Sequence, residues 1–408
     1  MNGTPSANRL HIGFFGRRNA GKSSVVNAVT GQELSVVSDV SGTTTDPVTK
    51  AMELLPIGPV LIIDTPGFDD EGSLGELRVK KTKQILNKTD VAILVVDATE
   101  KMSETDHDLI RIFKSKGINY LVVYNKCDLL SVKDMRSLMS EENAVLVSAK
   151  DKKNIDQLKE KIILTAGNTE ERPLVSDLVC RGDMVVLVVP IDSAAPKGRL
   201  ILPQQQVIRD LLDAGAIPVV VKEDEVTEAI HKLNVKPRMV ITDSQAFRQV
   251  SNQVEKNIDL TSFSILMARR KGFLETAVSG IKAIDMLKDG DKVLICEGCT
   301  HHRQCEDIGT VKIPAWLSKY TRKRLDFQYA SGDDFPDDLS GYKLIIHCGA
   351  CMLNEREVLY RMKCAIDAEV PFTNYGTAIA YMNGILERSI KPVMKLACAV
   401  KGAGFCDT

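Results

Sequence analysis

The segment Gly16–Ser23 (GRRNAGKS) constrains the fold of this chain more than any other feature. Its G-x-x-x-x-G-K-S spacing is that of phosphate-binding loops, in which glycines let backbone amides and a helix N-terminus surround the β- and γ-phosphates of a nucleotide. An apolar strand, His11–Phe15, precedes the loop, and a helix is predicted over Ser23–Thr30, ending at Gly31. Lys22 offers a point charge to the phosphates, and the Ser23 hydroxyl can bind magnesium. The segment therefore predicts a nucleotide-binding α/β domain.

Apolar runs alternate with helix-length segments through the first 165 residues, which predicts βαβ units and a mostly parallel sheet. The predicted strands are His11–Phe15, Val60–Ile63, Val91–Val96, Tyr120–Tyr124 and Ala144–Val147. A polar linker, Gly167–Pro173, leads to a second α/β block, and a third block begins near Ser262 with a long predicted helix, Met267–Leu287. We therefore expect three α/β domains, at residues 1–170, 171–262 and 263–408.

Four further segments follow in the order that a GTPase requires. Gly42–Thr45 (GTTT) offers hydroxyl groups to the γ-phosphate and magnesium, and Asp64–Gly67 (DTPG) offers a carboxylate and a backbone amide. Asp128, in Asn125–Asp128 (NKCD), would accept hydrogen bonds from guanine N1–H and its exocyclic amine, which adenine lacks. Ser148–Lys150 (SAK) closes over the base. The expected nucleotide-binding residues are Gly16, Asn19, Ala20, Gly21, Lys22, Ser23, Ser24, Thr43, Thr44, Asp64, Gly67, Asn125, Lys126, Asp128, Ser148, Ala149 and Lys150.

Over residues 10–165 these motifs resemble those of the tRNA-modification-type GTPases, which use potassium as an activating ion. The resemblance implies that Ser23 and Thr44 bind magnesium. It also implies four potassium ligands, namely Asn19, Ser38, Val40 and Thr43. Phe68 occupies the position at which Ras-like enzymes carry a water-orienting glutamine, and a phenyl ring cannot orient water. We therefore expect slow GTP hydrolysis that potassium stimulates more than sodium. The expected catalytic residues are Lys22, Thr44, Asp64 and Gly67.

Cysteines and histidines gather in the last third of the chain. Eight of the ten cysteines lie after residue 290, together with three of the six histidines. Without an apolar signal segment in Met1–Leu10, such cysteines indicate metal or redox chemistry rather than disulfides. Two segments, Cys296–His302 (CEGCTHH) and His347–Cys351 (HCGAC), each follow an apolar strand. If those strands are parallel, both segments lie at the same carboxyl edge of a sheet, where such folds bind ligands.

Three chemistries compete for these segments. Two C-x-x-C pairs, Cys296 with Cys299 and Cys348 with Cys351, could hold structural zinc. Alternatively, fewer thiolates could hold an iron–sulfur cluster whose last iron takes a histidine, a carboxylate or an exchangeable ligand. The third alternative is a set of buried thiols with no metal.

The combination of this GTPase domain with Cys-x-His, a long gap and His-Cys-x-x-Cys resembles the iron–iron hydrogenase maturation GTPases (the HydF family) over nearly the whole chain. The resemblance implies a P-loop GTPase domain, a middle α/β dimerisation domain and a C-terminal α/β domain that binds a 4Fe–4S cluster. It implies that Cys299, Cys348 and Cys351 hold the cluster, and it leaves the fourth position to His301, His347, another side chain or an external ligand. It also implies a homodimeric scaffold that receives a diiron unit from radical-SAM maturases and delivers it to apo iron–iron hydrogenase.

Charge and hydropathy bear on the remaining function classes. The alternative function is an RNA-modification or ribosome-assembly GTPase with a structural zinc domain, which would need a basic groove. The net charge of −1 and the grouped histidines count against nucleic acid as the partner. Apolar runs such as Val91–Val96 are too short to span a bilayer. We therefore expect a cytoplasmic protein with neither nucleic acid nor membrane as its partner.

Overall fold

The computed structural model describes residues 4–31, 47–66, 82, 84–138, 143–167, 172–190, 200–298, 307–332 and 334–399. The chain divides into two compact units, Met1–Glu170 and Glu171–Thr408. No helix among the described residues is long and apolar enough to cross a membrane.

The first unit has a six-stranded sheet in the order β2-β3-β1-β4-β5-β6. Its strands are β1 (Leu10–Phe15), β2 (Val48–Leu54), β3 (Gly58–Asp64), β4 (Val91–Asp97), β5 (Asn119–Asn125) and β6 (Ala144–Leu146). All neighbouring strands pair in parallel except β2, which is antiparallel to β3. The mostly parallel sheet is therefore confirmed. The sequence prediction lacks β2 because this edge strand, VTKAMEL, mixes polar and apolar residues and contains no apolar run.

The helices of the first unit cover both faces of its sheet. Among the described residues these helices include α1 (Lys22–Thr30), α2 (Glu104–Ser115), α3 (Val132–Leu138) and α4 (Ile155–Ala166). Adjacent residues of β1 point to opposite faces, so that Phe14 packs in one hydrophobic cluster and Phe15 in another. Helix α1 ends at Gly31, as predicted, and this glycine has a φ of 68°. Because both faces of the sheet are covered, the polar residues of the strands lie at the strand ends, at the edge of the sheet where the loops are.

The second unit contains two four-stranded parallel sheets that share one hydrophobic core. The first sheet, in the order β10-β9-β7-β8, consists of β7 (Met184–Val188), β8 (Ile217–Val221), β9 (Met239–Thr242) and β10 (Asp259–Ser262). The second, in the order β12-β11-β13-β14, consists of β11 (Lys292–Glu297), β12 (Asp326–Ser331), β13 (Leu344–His347) and β14 (Phe372–Asn374). The helices are α5 (Leu202–Asp213), α6 (Val226–Lys232), α7 (Phe247–Gln253), α8 (Phe263–Arg270), α9 (Leu274–Gly280), α10 (Ile313–Thr321), α11 (Glu355–Asp367), α12 (Tyr375–Met382) and α13 (Leu386–Ala399).

The long helix predicted over Met267–Leu287 is wrong. Helix α8 ends at Arg270 and α9 begins at Leu274, and a 3-10 turn, Ile281–Met286, follows. Gly272 lies in the break with a φ of 76°, a conformation that ends an α-helix. The apolar periodicity continues across the break because both short helices pack on the same core.

Candidate functional site

The phosphate-binding loop joins β1 to α1 in a conformation that requires glycine. Gly16 has a φ of 145°, and a Cβ placed there would lie 2.3 Å from the Val95 carbonyl oxygen. Gly21 has a φ of 81°, and its Cβ would lie 2.2 Å from Asn125 Nδ2. Lys22 is the first residue of α1 and is 8% exposed. The backbone therefore turns tightly into a helix N-terminus with a lysine beside it, which is the arrangement that binds phosphate.

The two described residues expected near magnesium lie against each other. The Ser23 hydroxyl, at the start of α1, donates a hydrogen bond to Asp64 Oδ2, at the end of β3, over 2.7 Å. A hydroxyl and a carboxylate are hard oxygen donors of the kind that magnesium prefers, so these residues fit the ion.

Asn125 links the phosphate-binding loop to the base-binding segment. Its Nδ2 donates to the Ala20 carbonyl oxygen over 3.1 Å. Its Oδ1 accepts from the Ala149 backbone N–H over 3.0 Å. The side chain is buried at the end of β5. The two loops are therefore held in one arrangement before any nucleotide binds.

A cavity of about 610 Å³ opens between helix α1 and the base-binding segments. Its lining includes Asn125, Lys126, Asp128, Ser148, Ala149 and Lys150, together with Ser24 of α1. A hydrogen bond from the Ser148 side chain holds the pKa of Asp128 below its ordinary value. An exposed carboxylate at the wall of a cavity of this volume can accept from the N–H groups of a base.

The end of β4 contacts the base-binding segment, the start of α2 contacts the phosphate-binding loop, and sequence reasoning missed both contacts. Lys126 Nζ pairs with Asp97 Oδ2 at 2.5 Å. Burial would raise the pKa of Asp97, but hydrogen bonds from Lys126 and Thr99 hold it below its ordinary value. Arg17, in the phosphate-binding loop, pairs with the buried Asp106 at 3.2 Å. The available signal was the position of Asp97 at a strand end, in register with Asn125.

Five residues expected in the nucleotide site lie outside the described residues: Ser38, Val40, Thr43, Thr44 and Gly67. Asn19 is described, is exposed and has a φ of 62°.

In the second unit, the two cysteine-containing segments leave the same edge of a sheet, as predicted. Strands β11 and β13 are parallel, and Cys296 lies opposite His347 in their register. The Cys348 N–H donates to the Cys296 carbonyl oxygen over 2.8 Å, which extends the pairing by one residue.

The turn after β13 directs backbone N–H groups at a sulfur. Cys348 Sγ accepts from Gly298 N over 3.1 Å and from Ala350 N over 3.3 Å. Ala350 adopts a φ of 57°, which turns the chain back toward the sulfur. Burial raises the pKa of Cys348, and these two donors oppose that effect because they favour the thiolate. Thiolates are the ligands of iron–sulfur clusters. Cys348 and Cys351 are partly exposed, so these described residues fit part of a thiolate site.

Cys296 differs from this pair because it is fully buried within β11. Burial raises its pKa well above the ordinary range for a thiol. Burial and the neighbouring Cys348 also raise the pKa of Cys351, to about 12. Cys351 lies at the sheet edge, however, where a metal can reach it, whereas Cys296 belongs to the core.

His347 is held by hydrogen bonds at both ring nitrogens. Nδ1 lies 2.9 Å from the Cys348 carbonyl oxygen and therefore donates to it. Nε2 faces Arg361 Nη1 at 3.5 Å. The ring is fully buried, and burial lowers its pKa to about 3. In this conformation neither nitrogen offers a lone pair to the cysteine sulfurs.

Cys299 and His301 lie outside the described residues. Among the residues that are described, no group of three or more His, Cys, Asp or Glu side chains is arranged to hold a metal.

Comparisons with known proteins assign each part of the chain to a family. Residues 11–126 match the profile of a 50S ribosome-binding GTPase. Residues 174–272 match the Hydrogen maturase F dimerization domain, and residues 275–392 match the Hydrogen maturase F tetramerization domain. The fold and the phosphate-binding loop therefore define a P-loop GTPase joined to a second α/β unit.

Two domain profiles of one family cover more than half of the 408 residues, in order and directly after the GTPase domain. The chain belongs to the hydrogen maturase F (HydF) family.

Curated relatives match the GTPase part. GTPase Der of Wolinella succinogenes is 34% identical over 175 residues, which are 40% of this chain and 37% of that protein. The tRNA modification GTPase MnmE of Natranaerobius thermophilus is 32% identical over 153 residues, which are 36% of this chain and 33% of that protein. The chain thus spans little more than a third of each relative. A solved structure of Era with MgGDPNP and a segment of 16S ribosomal RNA is 21% identical, with a TM-score of 0.36, over 52% of this chain and 91% of that one.

Proposed function

We propose that this protein binds and slowly hydrolyses GTP and carries a 4Fe–4S cluster, and that it assembles a diiron unit and delivers it to apo iron–iron hydrogenase in the cytoplasm. The observation that carries the cluster is the turn at Cys348, whose sulfur accepts two backbone N–H groups. That turn lies in the family's tetramerization domain, at the sheet edge where β11 also ends, and in the sequence Cys299 follows β11 by two residues. Radical-SAM maturases would supply the diiron unit as cargo.

The cluster would be held by Cys299, Cys348 and Cys351. Cys296 is not part of this ligand set because it belongs to the core of β11. Both nitrogens of His347 are already engaged, so the fourth position falls to His301, another side chain or an external ligand. A cluster bound by three thiolates offers one iron for exchange. The turn after β13 would orient the thiolates of Cys348 and Cys351. The sheet edge formed by β11 and β13 would cover one side of the cluster.

Metal analysis and absorption spectra of anaerobically reconstituted protein test this proposal. We expect about four irons per chain and broad absorption near 400 nm. Cys348→Ala should remove most of both, whereas Cys180→Ala, which changes an exposed cysteine in the same unit, should retain them. One tightly bound zinc without iron would overturn the cluster and favour the zinc-containing RNA-associated GTPase.

GTP would bind with its phosphates at Gly16–Ser23 and its base beside Asp128 in the cavity. Lys22 would neutralise phosphate charge, Ser23 with Thr44 would hold magnesium, and Asp64 with Gly67 would sense the γ-phosphate. Asn19, Ser38, Val40 and Thr43 would hold potassium in place of a catalytic arginine. Turnover should therefore be several-fold faster in potassium chloride than in sodium chloride. Equal rates in the two salts would exclude the potassium site.

We also propose three domains, with boundaries near residues 170 and 262, and a homodimer formed by the middle domain. Strand β8 is the edge of its sheet and exposes Ile217 and Val220, each at 46%. Such an apolar edge is a template for pairing with a second chain. Val220→Lys should shift the protein toward monomer in sedimentation, whereas Val235→Lys, an exposed control at 55%, should not. A dimer that survives Val220→Lys would place the interface elsewhere.

A further inference from the structure

A fully buried arginine lies behind the cysteine turn. Arg361, on α11, is 0% exposed and pairs through Nε with Glu357 Oε1 at 2.9 Å. Its Nη2 donates to the Gly332 carbonyl oxygen, and its guanidinium lies 5.3 Å from the ring centroid of Phe335. A guanidinium keeps its proton in proteins, so the charge is permanent. Burying a charge costs free energy of folding unless the charge is paired and hydrogen-bonded.

Arg361 reaches the cysteine turn through His347. Arg361 Nη1 lies 3.5 Å from His347 Nε2, and His347 Nδ1 donates to the Cys348 carbonyl oxygen over 2.9 Å. The imidazole is packed beside Phe273 and Phe372, with ring centroids 6.3 Å and 5.8 Å away. The chain of contacts is therefore rigid, and it ends on the backbone of a cysteine whose sulfur faces the site.

The charge of Arg361 lies close to the cysteine turn. Its Nη1 is 3.5 Å from Nε2 of His347, the residue before Cys348. Lys271, which is 5% exposed, is a second buried cation in this unit. A buried cation favours the more negative of two charge states nearby, and charge and burial are among the factors that set cluster potentials.

We propose that Arg361 is a positioning residue for the cluster segment: through His347 it holds the Cys348 backbone, and its charge makes a bound cluster easier to reduce. The reduction adds one electron to the cluster, with no bond or proton transferred, and an added reductant such as dithionite supplies it. This inference rests on the proposed cluster.

The test is a redox titration of the anaerobically reconstituted full-length protein, with reduced cluster counted by electron paramagnetic resonance. Arg361→Gln removes the cation and should lower the reduction potential by the equivalent of about a tenfold change in the reduced-to-oxidised ratio, which is about 59 mV for one electron. Glu357→Gln removes the compensating anion, retains an oxygen that can accept from Arg361, and should raise the potential. Arg361→Lys should stay near the wild type, as should Arg324→Gln, an exposed control in the same unit.

The reduction potential should shift in opposite directions in Arg361→Gln and Glu357→Gln. Opposite shifts distinguish an electrostatic role of Arg361 from a purely structural one. Shifts of the same sign in Arg361→Gln and Glu357→Gln, or no shift in either, would overturn the inference. If Arg361→Gln fails to assemble a cluster, the inference requires Arg361→Lys to restore assembly and Glu357→Gln still to raise the potential. Absence of a cluster in the wild-type protein would instead contradict the proposed function itself.

Discussion

The nucleotide pocket and the cysteine turn differ in the charge states of their side chains. In the pocket, hydrogen bonds hold the pKa values of Asp97 and Asp128 below their ordinary values, so both stay charged in the folded protein. At the cysteine turn, burial raises the pKa of Cys351 to about 12 and lowers that of His347 to about 3, so both are neutral without metal.

This difference fits what each site would receive under the proposed function. A nucleotide arrives with its own negative charge and with magnesium, so a pocket of fixed charges and oriented amides can bind it without changing its own protonation. A thiolate site becomes charged only when a metal displaces protons from its cysteines, and metal binding is therefore coupled to proton release. The nucleotide site is formed before its ligand arrives, whereas the proposed cluster site would be completed by its ligand.

The largest expected effect comes from adding one methyl group, which should impair the nucleotide site and leave the cysteine turn unchanged. Gly21→Ala would place a Cβ 2.2 Å from Asn125 Nδ2 at a φ of 81°, so the loop or Asn125 must move. We expect GDP affinity, measured by titration calorimetry, to fall at least a hundredfold, about 3 kcal/mol, while iron content stays at the wild-type level. Gly31→Ala, with a φ of 68° but nothing within 4 Å of its Cβ, is the matched control. Affinity within threefold of the wild type in Gly21→Ala would show that the loop is not rigid.

A second prediction tests whether the two units respond separately. Because a ligand stabilises only the unit that binds it, GDP with magnesium at a thousandfold excess over its dissociation constant should add about 4 kcal/mol to the first unit. In differential scanning calorimetry one transition should rise by about 10 °C, and the other should not move. Gly21→Ala should lose this shift. If both transition temperatures rise together, the two units unfold as one. The nucleotide then stabilises both units, and the two sites cannot be distinguished by thermal stability.

The smallest expected effect concerns the charge pair beside the base-binding segment. Since the folded-state pKa of Asp97 is depressed, its pairing with Lys126 stabilises the protein above the unfolded-state pKa of about 3.9, and this stability is lost as pH falls through the lower folded-state pKa. Lys126 is 36% exposed, so solvent screening limits the contribution to about 0.5–1 kcal/mol.

Asp97→Asn should therefore lower the thermal transition of the first unit at pH 7, and the gap from the wild type should close below about pH 4. Asp156→Asn, in a surface pair whose carboxylate side chain is 96% exposed, should change little at either pH. A gap that does not narrow as pH falls below 4 would mean that the pair contributes through packing rather than charge.

Sequence reasoning reached the parts of each site that are continuous in the chain. The phosphate-binding loop, the end of α1 at Gly31 and the shared edge of the two cysteine segments are confirmed. The long helix over Met267–Leu287 is wrong, because apolar periodicity does not record the left-handed turn at Gly272. The contacts of Asp97 and Arg361 could not be read from the chain, since each depends on the positions of elements far apart in sequence.

The sequence by itself determined the phosphate-binding loop, the parallel sheet around it and the grouping of cysteines at strand ends, because glycine conformations and apolar runs act over a few residues. Only the tertiary structure decided which thiols belong to the sheet edge and which to the core. Cys296 lies opposite His347 in the register of β11 and β13, and Cys348 is the next residue, yet Cys296 is buried in β11 and Cys348 accepts two N–H groups in a turn. That distinction arises from strand register and from the packing of the core, which form only when the whole unit folds.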